Sequence, residues 1–171
     1  MFSTVRSAAV LAIGGLLATA MVGVAADPVE VTGTTSCYQT VDGETPPGLT
    51  GPGFRNAVLS CSFDVSDDRM TGDVETVNNC DWSVDGKTTV GKCWGTSVLH
   101  NDDGAWAGVF SGTTSWSDTA PAHVHVMNLD YLGAGAYDGL RFEGVIEGTD
   151  YPWAVNATIE SAEWTAGPST R

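Results

Sequence analysis

The sequence predicts an all-β chain: a single antiparallel β-barrel of about eight strands, preceded by a cleaved N-terminal signal segment. Three observations predict it. Twenty-one glycines and seven prolines are spread through 171 residues, and no segment after residue 26 sustains helical periodicity. Short apolar runs recur between clusters of turn-forming residues. Glycines alternate with bulky apolar residues at two-residue spacing, in Trp106-x-Gly108-x-Phe110-x-Gly112 and again in Phe142-x-Gly144-x-Ile146-x-Gly148. Bare backbone at that spacing suits strands that bend or approach closely, which favours a small closed barrel over a flat sandwich.

Along the chain, residues 1–26 come first. They hold Arg6, no acid, an apolar run from Ala8 to Ala20 and a small-residue end at Val24-Ala25-Ala26. That order is a secretory signal peptide, with cleavage expected before Asp27. Residues 27–56 read as an N-terminal strand (Ser36–Val41) and a loop. Pro46, Pro47 and Pro52 keep the stretch Asp42 to Asn56 out of any central strand. The main part of the barrel spans 57–165. Its strands are expected near Ala57–Phe63, Gly72–Asn78, Cys80–Val84, Thr88–His100, Ala105–Thr113, Ala122–Leu132, Gly139–Glu147 and Trp153–Trp164. Two of the nine candidates can merge, leaving eight. Asn101-Asp102-Asp103-Gly104 reads as a hairpin loop, with Gly104 available for positive φ. Residues 166–171 form a C-terminal tail. Parity sorts the faces: Trp153, Val155, Ala157 and Ile159 share one side, Ala154, Asn156, Thr158 and Glu160 the other.

Charge excludes one class of partner. The net charge of −14 becomes −15 once the segment carrying Arg6 is removed. A field of that sign repels phosphate backbones, so no nucleic-acid partner is expected. Contact with a membrane is expected only through the signal segment before cleavage.

Cys37, Cys61, Cys80 and Cys93 all lie in the mature part. An even count in a secreted chain points to two disulfides, and no pair shows the spacing of about two to four residues usual in zinc sites. The expected pairing is Cys37–Cys61 and Cys80–Cys93. A turn at Gly86-Lys87 sets Cys80 directly opposite Cys93, whereas a turn at Asp85-Gly86 leaves them diagonal.

The stretch Gly133-Ala134-Gly135-Ala136-Tyr137-Asp138-Gly139-Leu140, with the strands after it, resembles the allene-oxide-cyclase-like and dirigent-like barrels. Ser66-Asp67-Asp68-Arg69-Met70-Thr71-Gly72, Trp94-Gly95-Thr96 and Gly104-Ala105-Trp106-Ala107-Gly108 also resemble uncharacterised secreted bacterial proteins. The shared pattern covers roughly Cys61 to Glu160. It is made of glycines and aromatics, so it implies a barrel and carries over no catalytic residue.

Candidate chemistry is sparse. His123 and His125 sit two apart, so on a strand both imidazoles share a face. If Met127 and Leu129 point inward, the histidines line the lumen; if Val124 and Val126 do, they face water. A cupin-type metal motif needs a Glu shortly after such a pair; the first acid here is Asp130, on the opposite parity, so no metal or other cofactor is expected. Asp67-Asp68 and Asp102-Asp103 lack calcium-loop spacing and read as turn residues, with Asp68 and Arg69 a possible local ion pair. Glu143 and Glu147 lie roughly 13 Å apart on one strand face, too far for a glycosidase pair. Trp82 and Trp94 are expected to pack on a disulfide, and Trp116 and Trp164 to be exposed. The reading is a secreted, acidic, non-catalytic binder of a small apolar or amphipathic ligand, held by His123, His125, Trp106 and Tyr137. Two alternatives are a cavity-based isomerase or cyclase, and a surface interaction module using exposed Trp. A cavity above roughly 300 Å³ favours ligand binding or catalysis; a lumen filled by side chains favours the surface module.

Overall fold

The computed structural model describes residues 27–47, 51–117, 123–149 and 151–162. The signal segment, Ala122, Trp164 and the tail 166–171 lie outside them. Eight strands follow in order: β1 (Val29–Val41), β2 (Gly53–Val65), β3 (Gly72–Asp85), β4 (Thr88–His100), β5 (Gly104–Ser117), β6 (His123–Gly135), β7 (Leu140–Gly148) and β8 (Trp153–Ser161). Each pairs antiparallel with the next, and β1 pairs with β8 from Val29↔Ile159 to Thr35↔Trp153. The result is an all-β, closed, up-and-down barrel. Closure gives the first and last strands the ladder partners they would lack in an open sheet.

Two boundaries change, and the anticipated merger of two candidates occurs in β3. β1 begins at Val29 rather than Ser36, because β8 supplies partners for its first half. The segments Gly72–Asn78 and Cys80–Val84 form one strand, β3. Asn79 does not break it: its side chain accepts from the Asn56 N–H and donates to the Trp94 carbonyl, so both amide ends are satisfied within the sheet. β2 starts at Gly53, inside the expected loop, and reaches Ala57 through a bulge whose Asn56 has φ of 59°. Pro46, Pro47 and Pro52 themselves all precede that start.

Both disulfides form as expected. Cys37–Cys61 joins β1 to β2, and Cys80–Cys93 joins β3 to β4, each between direct cross-strand partners. Asp85 pairs with Thr88, so the turn is Gly86-Lys87. Gly86 takes a positive φ of 61° there. Two such bridges belong to an oxidising, extracytoplasmic environment.

The lumen is a packed core. The inward parity of β8 is Trp153, Val155, Ala157 and Ile159, all buried. An eight-stranded barrel is only just wide enough for side chains, so large residues need small ones opposite. The paired positions show this device. Gly95 lies opposite Phe110, and Gly108 opposite Tyr131. A Cβ on Gly95 would meet the Phe110 ring at 2.7 Å. The alternation of glycine with bulky residues therefore serves packing across strands as well as bending along them.

The outer face carries charged residues, among them Glu30, Asp64, Glu75, Lys92, Glu143 and Glu147, interspersed with exposed apolar ones such as Tyr38, Val109, Val124 and Leu132. Apolar inside and charged outside is the inverse of a membrane-spanning barrel. No helix among the described residues is long and apolar enough to cross a membrane.

The two ends differ. The β2–β3, β4–β5 and β6–β7 connections close the lower end. Between β2 and β3 a short 3₁₀ turn (Asp68–Met70) places Met70 at 0% exposure. Asp67 caps that turn and pairs with Arg69 at 2.6 Å; the expected Asp68–Arg69 pair does not form. The guanidinium, donating to the Asp67 carboxylate, holds it below the usual carboxylate range. Asn101 organises the β4–β5 loop, accepting from the N–H groups of Asp103 and Gly104 and from the Tyr137 hydroxyl. Gly104 does not use positive φ; Gly135 and Gly139, flanking the β6–β7 turn, do, at 70° and 80°.

Candidate functional site

Met127, Leu129 and Tyr131 are buried, whereas Val124 and Val126 are exposed. Since parity is shared along β6, His123 and His125 point into the lumen. They lie at its upper end, where β6 begins and where β5 and β7 end and β8 begins. Asp130 takes the outer face and pairs with Arg141 at 2.9 Å.

The histidines belong to a continuous row of rings. Trp116 stacks on His123 with centroids 4.1 Å apart. His123 meets His125 edge-on at 5.8 Å, and His125 stacks on Trp153 at 3.7 Å. Tyr151 covers Trp153 from outside at 4.1 Å. The register builds this row: Trp116 is the cross-strand partner of His123, and Gly148 that of His125. At the absent side chain of Gly148 a Cβ would meet the Trp153 ring at 2.9 Å, so glycine leaves room for that indole to lean over β7. Trp116 and Tyr151, the ends of the row, are 48% and 49% exposed.

Beneath this rim lies a cavity of about 70 Å³. Leu59, Phe63, Val74, Phe110, Met127 and Ile146 give it apolar walls, and the Cys37–Cys61 bridge lies against it. Two polar zones interrupt them. On one, Thr76 and Ser97 share a hydrogen bond of 3.0 Å and Ser97 also bonds the Tyr131 hydroxyl. Burial pushes that phenol up to about 12. On the other are His125 and Trp153, whose Nδ1 and Nε1 are buried without a hydrogen-bond partner among the described residues, as is Oγ1 of Thr35, the cross-strand neighbour of Trp153. Buried polar atoms are normally satisfied, and each unmade bond costs about 1–3 kcal/mol. Two of these three residues, His125 and Trp153, line the cavity.

The four expected ligand-binding residues do not meet. His125 lines the cavity and His123 extends its rim. Trp106 and Tyr137 form the plug of the opposite, lower end. Trp106 is 0% exposed, donates Nε1–H to the Arg69 carbonyl at 2.8 Å and stacks on Tyr137 at 5.3 Å. Of the remaining tryptophans, Trp82 points inward and packs on the core. Trp94 faces outward beneath Arg55, 4.8 Å from the guanidinium, rather than against a disulfide. Sequence reasoning counts Trp153 only among the six tryptophans that could stack on a ligand, and gives Thr35 no part in a site. Trp153 had been placed on the correct face, but a strand's parity does not say which inward residues find partners. Among the described residues no group of three or more His, Cys, Asp or Glu is arranged to hold a metal.

Burial, and secondarily the neighbouring His123, lower the His125 imidazole to about 4 from an ordinary value of 6.5. Between those two values the unfolded chain binds a proton at this residue and the folded chain does not. Stability therefore falls as pH drops through that window and this contribution levels off below it. Allowing for the ring's partial solvent access, the loss is about 2 kcal/mol. Urea unfolding at neutral pH and near the lower value measures it; His125→Phe flattens the dependence. An unchanged slope in that variant would assign it to other groups.

No family model, curated protein or solved structure matches this chain.

Proposed function

We propose that the protein is a secreted, non-catalytic binder of a small amphipathic molecule, held in the upper lumen below the aromatic rim. The observation that carries this reading is the pair of unpartnered buried polar atoms on His125 and Trp153, two residues that line a largely apolar cavity. Apolar walls with a few placed polar groups are the usual make-up of a small-molecule site. The volume limits the occupant. About 70 Å³ is well below the roughly 300 Å³ set above for a ligand pocket; by that criterion volume alone favours the surface module, and an occupant of the lumen has only about four or five heavy atoms. Secretion follows from the signal-like order of residues 1–26 together with the two disulfides.

Two measurements test it. Protein purified from its own host without denaturation, then unfolded in a sealed vessel, releases a stoichiometric small molecule detectable by mass spectrometry. Ligand-free protein takes up xenon in the lumen, as apolar cavities do. A lumen that yields no molecule and admits no xenon sinks the reading.

The exposed ends of the row, Trp116 and Tyr151, favour a second reading, a stacking surface for a planar or sugar partner. Titrating soluble oligosaccharides against the intrinsic fluorescence tests it. A response lost in Trp116→Ser supports the rim, and no response to any of them counts against it.

A further inference from the structure

The three unpartnered atoms differ in what they offer, and the difference specifies the head group of the ligand. This step rests on the lumen-binding reading above. The Trp153 indole Nε1–H is a donor and nothing else, while the Thr35 hydroxyl both donates and accepts. A neutral imidazole with its proton on Nε2 presents Nδ1 as an acceptor. His125 and Trp153 line the cavity and stack at 3.7 Å. Thr35, 1% exposed, points inward on β1 directly opposite Trp153. His125 and Trp153 thus bring two unpartnered polar atoms to the cavity lining, and Thr35 is the cross-strand neighbour of Trp153 without itself lining the cavity.

We propose that this pair recognises a neutral hydroxyl group, so that the lumen selects small aliphatic alcohols. A hydroxyl has one proton to give and two lone pairs to receive. Its O–H donates to His125 Nδ1, its oxygen accepts from Trp153 Nε1–H, and the second lone pair is available to the Thr35 hydroxyl through one water. The other common head groups each leave something unmet. A ketone accepts from Trp153 but gives His125 no proton. A carboxylate sets its lone pairs against Nδ1, and brings a negative charge into an apolar lumen of a chain whose net charge is already −14. An ammonium accepts nothing from the indole. Burial keeps the imidazole neutral at ordinary pH, which preserves the acceptor.

Isosteres of about four heavy atoms test the inference on the full mature protein, with xenon as the apolar probe. 2-Propanol, acetone and acetate have nearly the same shape and differ in the polar end. Binding is followed by NMR through the Trp153 indole N–H and the His125 ring resonances. The expected result is 2-propanol binding at least about tenfold more tightly than acetone or acetate, the ratio that one satisfied polar group supplies. The Trp153 N–H signal moves with the alcohol. His125→Phe brings 2-propanol down to the level of acetone and leaves xenon uptake intact, which shows that the lumen still forms. Acetone or acetate binding as tightly as 2-propanol overturns the hydroxyl assignment. So does xenon uptake with no alcohol binding, and in both cases the lumen reading stands. Failure of every probe, xenon included, removes that reading as well. The isostere ranking on the unmodified protein decides the matter even if the variant does not fold.

Discussion

Trp106→Ala lowers the stability of the folded barrel by about 4 kcal/mol, within the range for removing a buried tryptophan. The residue is fully buried in the lower plug, stacked on Tyr137 and edge-on to Phe142 at 6.3 Å. Truncation removes the largest of the fully buried side chains and leaves a void between strands whose spacing is fixed by barrel closure, so collapse around it is limited. Trp106→Phe separates the two parts of the loss. It restores much of the apolar contact and loses the bond to the Arg69 carbonyl. That carbonyl keeps a second donor, the Asn101 side chain at 3.1 Å, so the added cost is about 1 kcal/mol. Urea unfolding of the two variants measures both. A loss below about 1 kcal/mol for the alanine variant would mean that the lower end repacks freely, contrary to this account. The plug lies at the far end from the aromatic row, so the ring resonances of His125 and Trp153 are expected to stay in place.

Removing the disulfides has an effect of similar size through a different state. Each bridge closes a loop, across separations of 24 and 13 residues, and on the chain-entropy model each contributes about 3 kcal/mol by restricting the unfolded ensemble. The bonds join strands already paired in register, so they are not needed to define the topology. Cys37→Ala with Cys61→Ala, and Cys80→Ala with Cys93→Ala, are therefore expected to fold to the same barrel with lower denaturant midpoints. The first pair also enlarges the cavity, because Cys37 and Cys61 lie against it. That variant is expected to take up larger apolar probes, while the second is not. Unfolding with and without reductant is the direct measurement. A midpoint unmoved by reduction would show that the crosslinks do not limit the unfolded chain.

Much of this architecture is readable from local chemistry. The parity of Trp153, Val155, Ala157 and Ile159 gave the inward face of β8, since a strand has a fixed two-residue period and one side here is apolar. Local chemistry narrowed the β3–β4 turn to Gly86-Lys87 or Asp85-Gly86, and the pairing of Asp85 with Thr88 selects the first, which sets Cys80 opposite Cys93. Where the reading fell short, part of the missing information was a partner distant in sequence. Asn78-Asn79 carries turn-forming residues, yet Asn56 and Trp94 hold the Asn79 side chain inside the sheet. Val29 to Thr35 carries β-branched residues and an apolar-polar alternation that the reading passed over, and β8 supplies its ladder partners.

The sequence by itself therefore determined the all-β class, the inward face of β8 and the acidic composition, since each depends on residues near one another in the chain; it favoured the two crosslinks and left the face of β6 open. The tertiary structure alone decided which inward residues share a space. It set His123 and His125 beside Trp116 and Trp153 at one end, Trp106 and Tyr137 at the other, and left Thr35, His125 and Trp153 with unpartnered polar atoms. Parity gives a side chain its face but not its height along the barrel. Height follows from the hydrogen-bond register of every strand around the ring, and that register becomes fixed only when β1 meets β8.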